Sequence, residues 1–151
     1  MYRQMKKLLF LLDPEAAHER TIAALKLAKR MKLTGLLRLR YAFHDEQLSS
    51  ELWGIPFPNP VGLAAGFDKN AEVYEPLAAL GFGFIEVGTV TPLGQPGNDK
   101  PRLFRLVEDE AVINRMGFNN EGAENAAANL QNYEKAGIPI GINIGKNKAT
   151  A

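Results

Sequence analysis

The chain has 151 residues, of which 46% are hydrophobic and 23% charged, a composition typical of one globular domain. It contains no cysteine, which excludes disulfide bonds, thiolate metal sites and cysteine nucleophiles. No run approaches the roughly 18 apolar residues that a membrane-spanning helix needs. The apolar stretch 8–12 is short and is followed by Asp13-Pro14 without a small-residue cleavage site, so we expect no export signal.

Charge is unevenly distributed along the chain. Residues 1–40 contain ten Lys/Arg and three Asp/Glu, a net charge of +7, whereas the remaining residues contain eight and fourteen, a net charge of −6. Two zones of opposite charge predict two roles. We therefore divide the chain into a helical domain at 1–42, a linker with a hairpin at 43–60, and an α/β region at 61–151.

The basic zone has the pattern of short amphipathic helices. A first apolar stripe has helical spacing: Met5, Leu8, Leu9 and Leu12. Asp13 and Pro14 then predict the N-cap and first residue of a second helix, with Glu15 favourably placed in its first turn. A leucine-rich stretch at 33–39 follows. Such helices have no core of their own, so we expect them to pack on the protein, on a membrane surface, or on both.

The acidic zone alternates between strands and helices. In chain order we expect a hairpin near 51–60, a strand at 61–65, a helix at 71–80, a strand at 84–90, a loop at 91–101, a hairpin at 103–113, a helix at 121–136 and a strand at 138–144. This order predicts a parallel α/β sheet. Because a (β/α)8 barrel typically needs ~250 residues, we expect an incomplete barrel that contains its first three parallel strands.

Five segments carry a family resemblance. They are GLAAGFDKN at 62–70, EVGTVTP at 86–92, NDKPRLFRL at 98–106, INRMGFNN at 113–120 and GINIGKN at 141–147. Together they resemble the quinone-dependent (class 2) dihydroorotate dehydrogenases, and the resemblance runs from about Leu12 to the end. It implies an FMN-dependent (β/α)8 TIM barrel preceded by a small N-terminal helical domain for membrane and quinone. It also implies oxidation of dihydroorotate to orotate in pyrimidine (UMP) biosynthesis.

The resemblance implies a set of flavin-binding residues: Ala65, Gly66, Phe67, Asp68, Lys69, Thr89 and Asn143. These residues follow the predicted strands, and functional groups in a parallel barrel gather at the carboxyl ends of its strands. Small residues also let the backbone approach a flat ring closely. By resemblance, Lys69 reaches both the flavin and the substrate carboxylate. The alternative for Lys69 is a solvated loop lysine.

A second set resembles the family's substrate loop: Lys69 together with Asn114, Arg115, Met116, Gly117 and Phe118. The Asn114 amide offers an acceptor and two donors, which complement the amide edge of a pyrimidine ring. An ordinary turn is the alternative, because Asn and Gly are turn residues. For Asn119 and Asn120, the sequence favours capping of the following helix at least as much as contact with a ligand.

The acceptor side is expected at His18 and Arg105, which by resemblance line the quinone tunnel. His18 could instead be an exposed helix residue, and Arg105 could pair with Glu108 or Glu110. The membrane surface is expected to contact residues 1–40, which implies a peripheral protein. The lack of an Arg/Ser-rich, acid-poor presequence favours a bacterial protein, hence the cytoplasmic face of the inner membrane. We expect no metal site and, without aromatic interleaving or a reading motif, no nucleic-acid partner.

The resemblance implies a serine base in a later loop. The only serines here are Ser49 and Ser50, in the linker, so no catalytic base is expected within this chain, and the chain alone is expected to be inactive. Two alternatives remain: another FMN-dependent TIM-barrel oxidoreductase, or an inactive fragment that binds membranes. A Rossmann domain is disfavoured because no Gly-x-Gly-x-x-Gly opens a helix.

Overall fold

The computed structural model describes residue 6 and residues 9–149. Within this part, Lys6 and Leu9 are helical, and the Phe10 amide donates to the Lys6 carbonyl oxygen at 2.9 Å. Of the other predicted stripe positions, Leu12 lies in a bend and is not helical, while Met5 and Leu8 lie outside the described residues.

Two further helices form in the basic zone, as predicted: α1 at Pro14–Arg30 and α2 at Thr34–Tyr41. The Asp13 carboxylate caps α1, because it accepts hydrogen bonds from the amides of Glu15 at 2.9 Å and Ala16 at 3.1 Å. Pro14 occupies the first helical position, where a missing N–H costs nothing. This cap determines where α1 begins, and hence which of its side chains face the rest of the protein.

The described strands are short. They are β1 Ser50–Leu52, β2 Ile55–Phe57, β3 Gly62–Leu63, β4 Phe84–Val90, β5 Leu93–Gln95, β6 Leu103–Leu106, β7 Ala111–Asn114, β8 Asn120–Gly122 and β9 Ile140–Ile144. The predicted parallel sheet is confirmed, with β4 between β3 and β9. Two predicted antiparallel hairpins also form, β1–β2 through a turn at Trp53-Gly54 and β6–β7. The antiparallel pair β5–β8 was not predicted.

The helices between the parallel strands are α3 at Tyr74–Ala78 and α4 at Ala123–Asn129, which continues into 3-10 turns at Leu130–Ala136. The prediction of a helix from residue 71 is wrong at its start, because the Glu72 and Val73 amides donate to the Asp68 carboxylate. The prediction of a helix from residue 121 is also wrong at its start, because Gly122 pairs with Leu93 of β5.

The core lies between α3 and the parallel sheet. It is built on Tyr74, Leu77, Ile85 and Val87, and the α1 side chain of Ile22 packs against it. No helix among the described residues is both long enough and apolar enough to cross a membrane. The packing of α1 on this core places the first turns of α1 above the carboxyl ends of β3 and β4. Closure of a barrel and the three-part domain division stay predictions.

Candidate active site

A cavity of about 510 Å³ opens at the carboxyl ends of β3 and β4. It is lined by Glu15 and His18 of α1, by Ala65, Gly66 and Lys69, by Thr89 at the end of β4, by Asn98 and Leu103, and by residues 114–119. The cavity therefore brings most of the predicted flavin residues together with the whole predicted substrate loop. Phe67, Asp68, Asn143 and Arg105 do not line it. Phe67 and Asp68 instead line an adjoining space of about 650 Å³, which shares Lys69 and His18.

Lys69 is partly buried between the two spaces. Burial holds the pKa of its ammonium group below the usual value, and the positive charge of Arg102 lowers it further against the opposing effect of Glu15. Its Nζ atom makes no hydrogen bond or ion pair with the described residues. A partly buried cation without a partner is unfavourable unless an anion joins it. Lys69 is therefore not a solvated loop lysine, and it is suited to hold an anionic ligand.

The 65–69 segment is fixed by backbone contacts to β4. The Gly66 amide donates to the Gly88 carbonyl oxygen at 2.7 Å, and the Gly88 amide donates to the Asp68 carbonyl oxygen at 2.9 Å. A Cβ atom built on Gly66 would meet no atom within 4 Å, so open space lies directly beside the backbone. A flat ring could therefore come into close contact with the backbone at Gly66.

Asp68 is buried and its carboxylate points to the protein backbone. Its two oxygens accept hydrogen bonds from the amides of Glu72 and Val73, each at 2.8 Å. Burial raises the pKa of Asp68, while these hydrogen bonds oppose the shift. The side chain of Asp68 therefore shapes the turn that follows Lys69, and its place in the flavin-binding set stays a prediction.

Thr89 and Asn143 form one polar group at the ends of β4 and β9. The Thr89 hydroxyl donates to the Asn143 Oδ1 atom at 2.6 Å, and the Asn143 amide donates to the Glu86 carboxylate at 3.1 Å. Thr89 lines the cavity and Asn143 stands behind it. Asn143 thus orients the Thr89 hydroxyl in the described structure.

Residues 114–118 are held by hydrogen bonds from Asn98, which also lines the cavity. The Asn98 side chain donates to the Arg115 carbonyl oxygen at 2.7 Å, and the Asn98 amide donates to the Met116 carbonyl oxygen at 3.0 Å. Gly117 has a positive φ of 75°, and a Cβ atom there would lie 2.8 Å from Asn98. The segment is therefore a fitted part of the cavity wall rather than a free turn.

Two members of this loop differ in what their side chains reach. The Arg115 guanidinium donates to the Pro101 carbonyl oxygen at 3.0 Å and 3.3 Å, so it anchors the loop. The Asn114 side chain is exposed, and its Oδ1 atom has only a long contact of 3.5 Å with the Met116 amide. Asn114 consequently keeps its donors available for a ligand.

The neighbours Asn119 and Asn120 divide the two roles left open by the sequence. Asn120 is buried and makes four hydrogen bonds, to the Thr91 amide and hydroxyl, the Phe118 carbonyl oxygen and the Gly122 amide. The Oδ1 atom of Asn119 is buried without a hydrogen-bond partner among the described residues. Asn119 also lines both spaces. Asn120 is structural, whereas Asn119 lines the cavity and leaves its own buried oxygen unpaired.

His18 is partly buried, so the alternative of an exposed helix residue is wrong. Its ring meets the Phe67 ring edge to face, with centroids 5.0 Å apart. Burial lowers the pKa of His18, and the positive charge of Lys69 lowers it further. His18 therefore favours a neutral imidazole that can donate or accept a hydrogen bond beside the cavity.

Arg105 lies in a separate place. Its guanidinium donates to the Leu12 carbonyl oxygen at 2.7 Å and sits 4.6 Å from the centroid of the Phe10 ring. It lines a space of about 430 Å³ with Lys6 and Phe10, which does not include His18. The suggested pairing with Glu108 or Glu110 is absent from the described contacts. The two predicted quinone residues thus line different cavities in this structure.

One buried ion pair was missed by sequence reasoning. Glu15 and Arg102 are only 6% and 7% exposed, and the Arg102 Nη2 atom lies 2.7 Å from the Glu15 Oε1 atom. The hydrogen bond from Arg102 holds the pKa of Glu15 below its usual value. Nothing in the spacing of residues 15 and 102 signals the pair, and Glu15 also fits a simple helix-dipole role.

Comparison with known proteins decides the family. The dihydroorotate dehydrogenase family model matches residues 47–151. The chain belongs to the dihydroorotate dehydrogenase family. Similar curated relatives are dihydroorotate dehydrogenases (quinone). That of Halobacterium salinarum is 53% identical over 150 residues, with 99% of this chain and 43% of the relative covered. That of Sinorhizobium medicae is 59% identical over 143 residues, with 95% and 37% covered.

Solved structures of the family agree in fold. A crystal structure of dihydroorotate dehydrogenase from Eimeria tenella in complex with ferulenol has a TM-score of 0.69 and 41% sequence identity to this chain. The match covers 92% of this chain and 37% of that one. The ligand-free protein from the same organism gives a TM-score of 0.70. This chain therefore spans about two fifths of the length of the family members it matches.

Proposed function

We propose that this chain forms the N-terminal part of an FMN-dependent (β/α)8 barrel that oxidises dihydroorotate to orotate and uses a quinone as electron acceptor. The observation that carries the proposal is Lys69, a partly buried ammonium group without a described partner on the wall of a 510 Å³ cavity. That volume is in the ordinary range for sites of small ligands and cofactors. Both proposed ligands of this cavity, FMN and orotate, are anionic.

The residues at the strand ends fit a flavin. Gly66 leaves space beside the backbone, Ala65 lines the same cavity, and Thr89 presents a hydroxyl that Asn143 orients. Lys69 would balance negative charge near the ring. When bound, FMN would supply the redox chemistry, since a flavin takes a hydride from the substrate and passes electrons onward. The protein supplies orientation and charge.

The substrate would lie against residues 114–118. Lys69 would hold its carboxylate, and the exposed amide of Asn114 would bond the ring edge. Asn119 also lines this cavity. The leaving proton needs another acceptor, because Ser49 and Ser50 are exposed and do not line the cavity. The serine base implied by the family resemblance is neither of these.

The acceptor would approach from the side of α1. His18 borders the cavity, and Arg105 lies near the chain that leads into α1. The α2 helix exposes Leu36 at 64% and Leu39 at 87%, interspersed with Arg38 and Arg40. Apolar and basic side chains on one exposed helix favour peripheral attachment to an anionic bilayer. We accordingly propose the cytoplasmic face of a bacterial inner membrane as the location.

The test is flavin and orotate binding by the purified 151-residue chain. We expect FMN fluorescence to be quenched on binding, and orotate to perturb the visible flavin spectrum. The variant Lys69→Met should lose the orotate effect and weaken FMN binding by at least about tenfold, since it removes a charge-assisted contact. The control Lys135→Met changes an exposed lysine outside the cavity and should behave as the unmodified chain.

Three results would contradict the proposal or redirect it. Absence of FMN binding, together with sedimentation on vesicles that contain anionic lipid, would favour a membrane-binding fragment without chemistry. Flavin binding without any effect of orotate would favour another FMN-dependent barrel oxidoreductase. Equal binding by Lys69→Met and by the unmodified chain would remove the observation on which the proposal stands.

A further inference from the structure

Glu15 and Arg102 begin a continuous line of hydrogen bonds across the cavity wall. The Arg102 Nε atom donates to both Glu15 carboxylate oxygens at 3.2 Å, and its Nη2 atom donates to one of them at 2.7 Å. The Arg102 Nη1 atom donates to the carbonyl oxygens of Pro96 at 2.7 Å and Asn98 at 2.8 Å. The guanidinium is therefore held from α1 on one side and from the 96–98 segment on the other.

The same line continues into the predicted substrate loop. The Asn98 side chain donates to the Arg115 carbonyl oxygen at 2.7 Å, and the Asn98 amide donates to the Met116 carbonyl oxygen at 3.0 Å. The Arg115 amide in turn donates to the Arg102 carbonyl oxygen at 2.8 Å. Each link from α1 to residues 115 and 116 is thus a direct hydrogen bond.

The two ends of this line of hydrogen bonds lie beside two predicted ligand-binding residues, His18 and Asn114. Glu15 and His18 are three residues apart on α1, which places them on the same face of the helix. Both line the cavity. Asn114 stands at the other end, next to Arg115. A displacement of α1 by a ligand at His18 would therefore move the anchor of the substrate loop, because the buried charges of Glu15 and Arg102 resist separation.

We propose that Glu15, Arg102 and Asn98 are positioning residues that couple α1 to residues 114–118, so that a ligand at His18 and an anionic ligand at Lys69 and Asn114 change each other's affinity. The identity of the two ligands, a quinone and orotate, rests on the proposed function. The mechanical coupling rests on the described hydrogen bonds alone. Coupling between two sites is reciprocal and is measured as a ratio of affinities.

Amide hydrogen exchange of the full chain tests the coupling without ligands. Glu15→Gln removes the charge that holds Arg102, so exchange of the Asn98 and Arg115 amides should become at least about tenfold faster. The control Glu19→Gln removes an equal charge one turn later on α1, where the carboxylate is exposed and pairs with Lys100 at 3.4 Å. It should leave both amides within about twofold of the unmodified chain.

A reference amide separates positioning from general destabilisation. The Ile85 amide donates to the Pro139 carbonyl oxygen at 3.1 Å in the parallel sheet, away from Glu15. Its exchange should be unchanged in Glu15→Gln. Equal acceleration at Ile85, Asn98 and Arg115 would reduce Glu15 to a general stability residue and overturn the proposal. Unchanged exchange at Asn98 and Arg115 would overturn it as well.

The second measurement is orotate titration with and without a short-chain ubiquinone analogue. We expect the analogue to change orotate affinity by at least about threefold in the unmodified chain and in Glu19→Gln. The effect should disappear in Glu15→Gln and in Asn98→Ala, which breaks the last side-chain link. Equal quinone effects in all four proteins would overturn the coupling. Failure of orotate to bind any of them would contradict the proposed function, while the exchange experiment would still decide on the coupling.

Discussion

The adjacent residues Asn119 and Asn120 should respond in opposite ways to the same substitution. Asn120 makes four hydrogen bonds at 2.8–3.2 Å with Thr91, Phe118 and Gly122. At roughly 1 kcal/mol for each bond, Asn120→Ala should lower the free energy of unfolding by about 4 kcal/mol. Asn119 forms no hydrogen bond with the described residues, so Asn119→Ala should change it by less than about 1 kcal/mol.

Urea unfolding followed by far-ultraviolet circular dichroism measures this difference. With a slope of about 2 kcal/mol per molar urea, the expected loss in Asn120→Ala shifts the midpoint down by about 2 M. If that variant is unfolded without urea, Asn120→Asp replaces it. Asp retains the acceptor for the Thr91 and Gly122 amides, so an intermediate shift of about 1 M is expected.

Equal midpoints for the alanine variants at positions 119 and 120 would refute this reasoning. So would a larger loss at Asn119, because its buried oxygen would then have a stabilising role that the hydrogen-bond geometry does not provide. The ligand side of the prediction is independent of stability. Asn119→Ala should weaken orotate binding because Asn119 lines the cavity, whereas a folded Asn120→Asp protein should keep that binding.

Three further predictions concern conformation, pH and capping. Gly117→Ala should destabilise the chain by at least about 2 kcal/mol, because its backbone has a positive φ and the added Cβ atom would also collide with Asn98. The control Gly54→Ala also has a positive φ but open space around it, so it should destabilise the chain by about 1 kcal/mol. Thermal melting of the two variants measures the difference. The pKa of His18 is lowered in the folded state, so its contribution to stability is present above pH about 6.5 and is lost as pH falls. When the pH is lowered from 7.5 to 5, the free energy of unfolding should therefore decrease less steeply in His18→Gln than in His44→Gln. Equal slopes in the two variants would contradict a lowered pKa of His18. Asp68→Ala should cost about 2–4 kcal/mol in urea unfolding, because two amides of the following turn lose their acceptor.

Local sequence signals predicted the elements whose causes are local. Asp13 and Pro14 gave the start of α1 because the cap involves only neighbouring backbone amides. The strand β4 was predicted at its observed bounds, since a bounded apolar run suffices for a buried parallel strand. Lys69 and the 114–118 loop were found through the family resemblance, and the structure brings them to one cavity.

Features that depend on distant partners were not predicted. The pair β5–β8 joins residues 93–95 to residues 120–122, and its short strands have no alternation of their own. The same holds for Glu15 and Arg102, whose pairing arises only after α1 has packed on the core. Spacing along the chain contains no information about such contacts.

The β1–β2 turn carries an intrinsic fluorescence donor from which a distance can be measured. Trp53 is its only tryptophan, and the indole is 92% exposed at the tip of the hairpin. Tryptophan emission overlaps the near-ultraviolet absorption of a flavin, so Trp53 would be the single tryptophan donor and bound FMN the single acceptor of energy transfer. Quenching of Trp53 by bound FMN would then depend on a single separation. That separation would report whether the flavin occupies the cavity at the strand ends, without any label being attached.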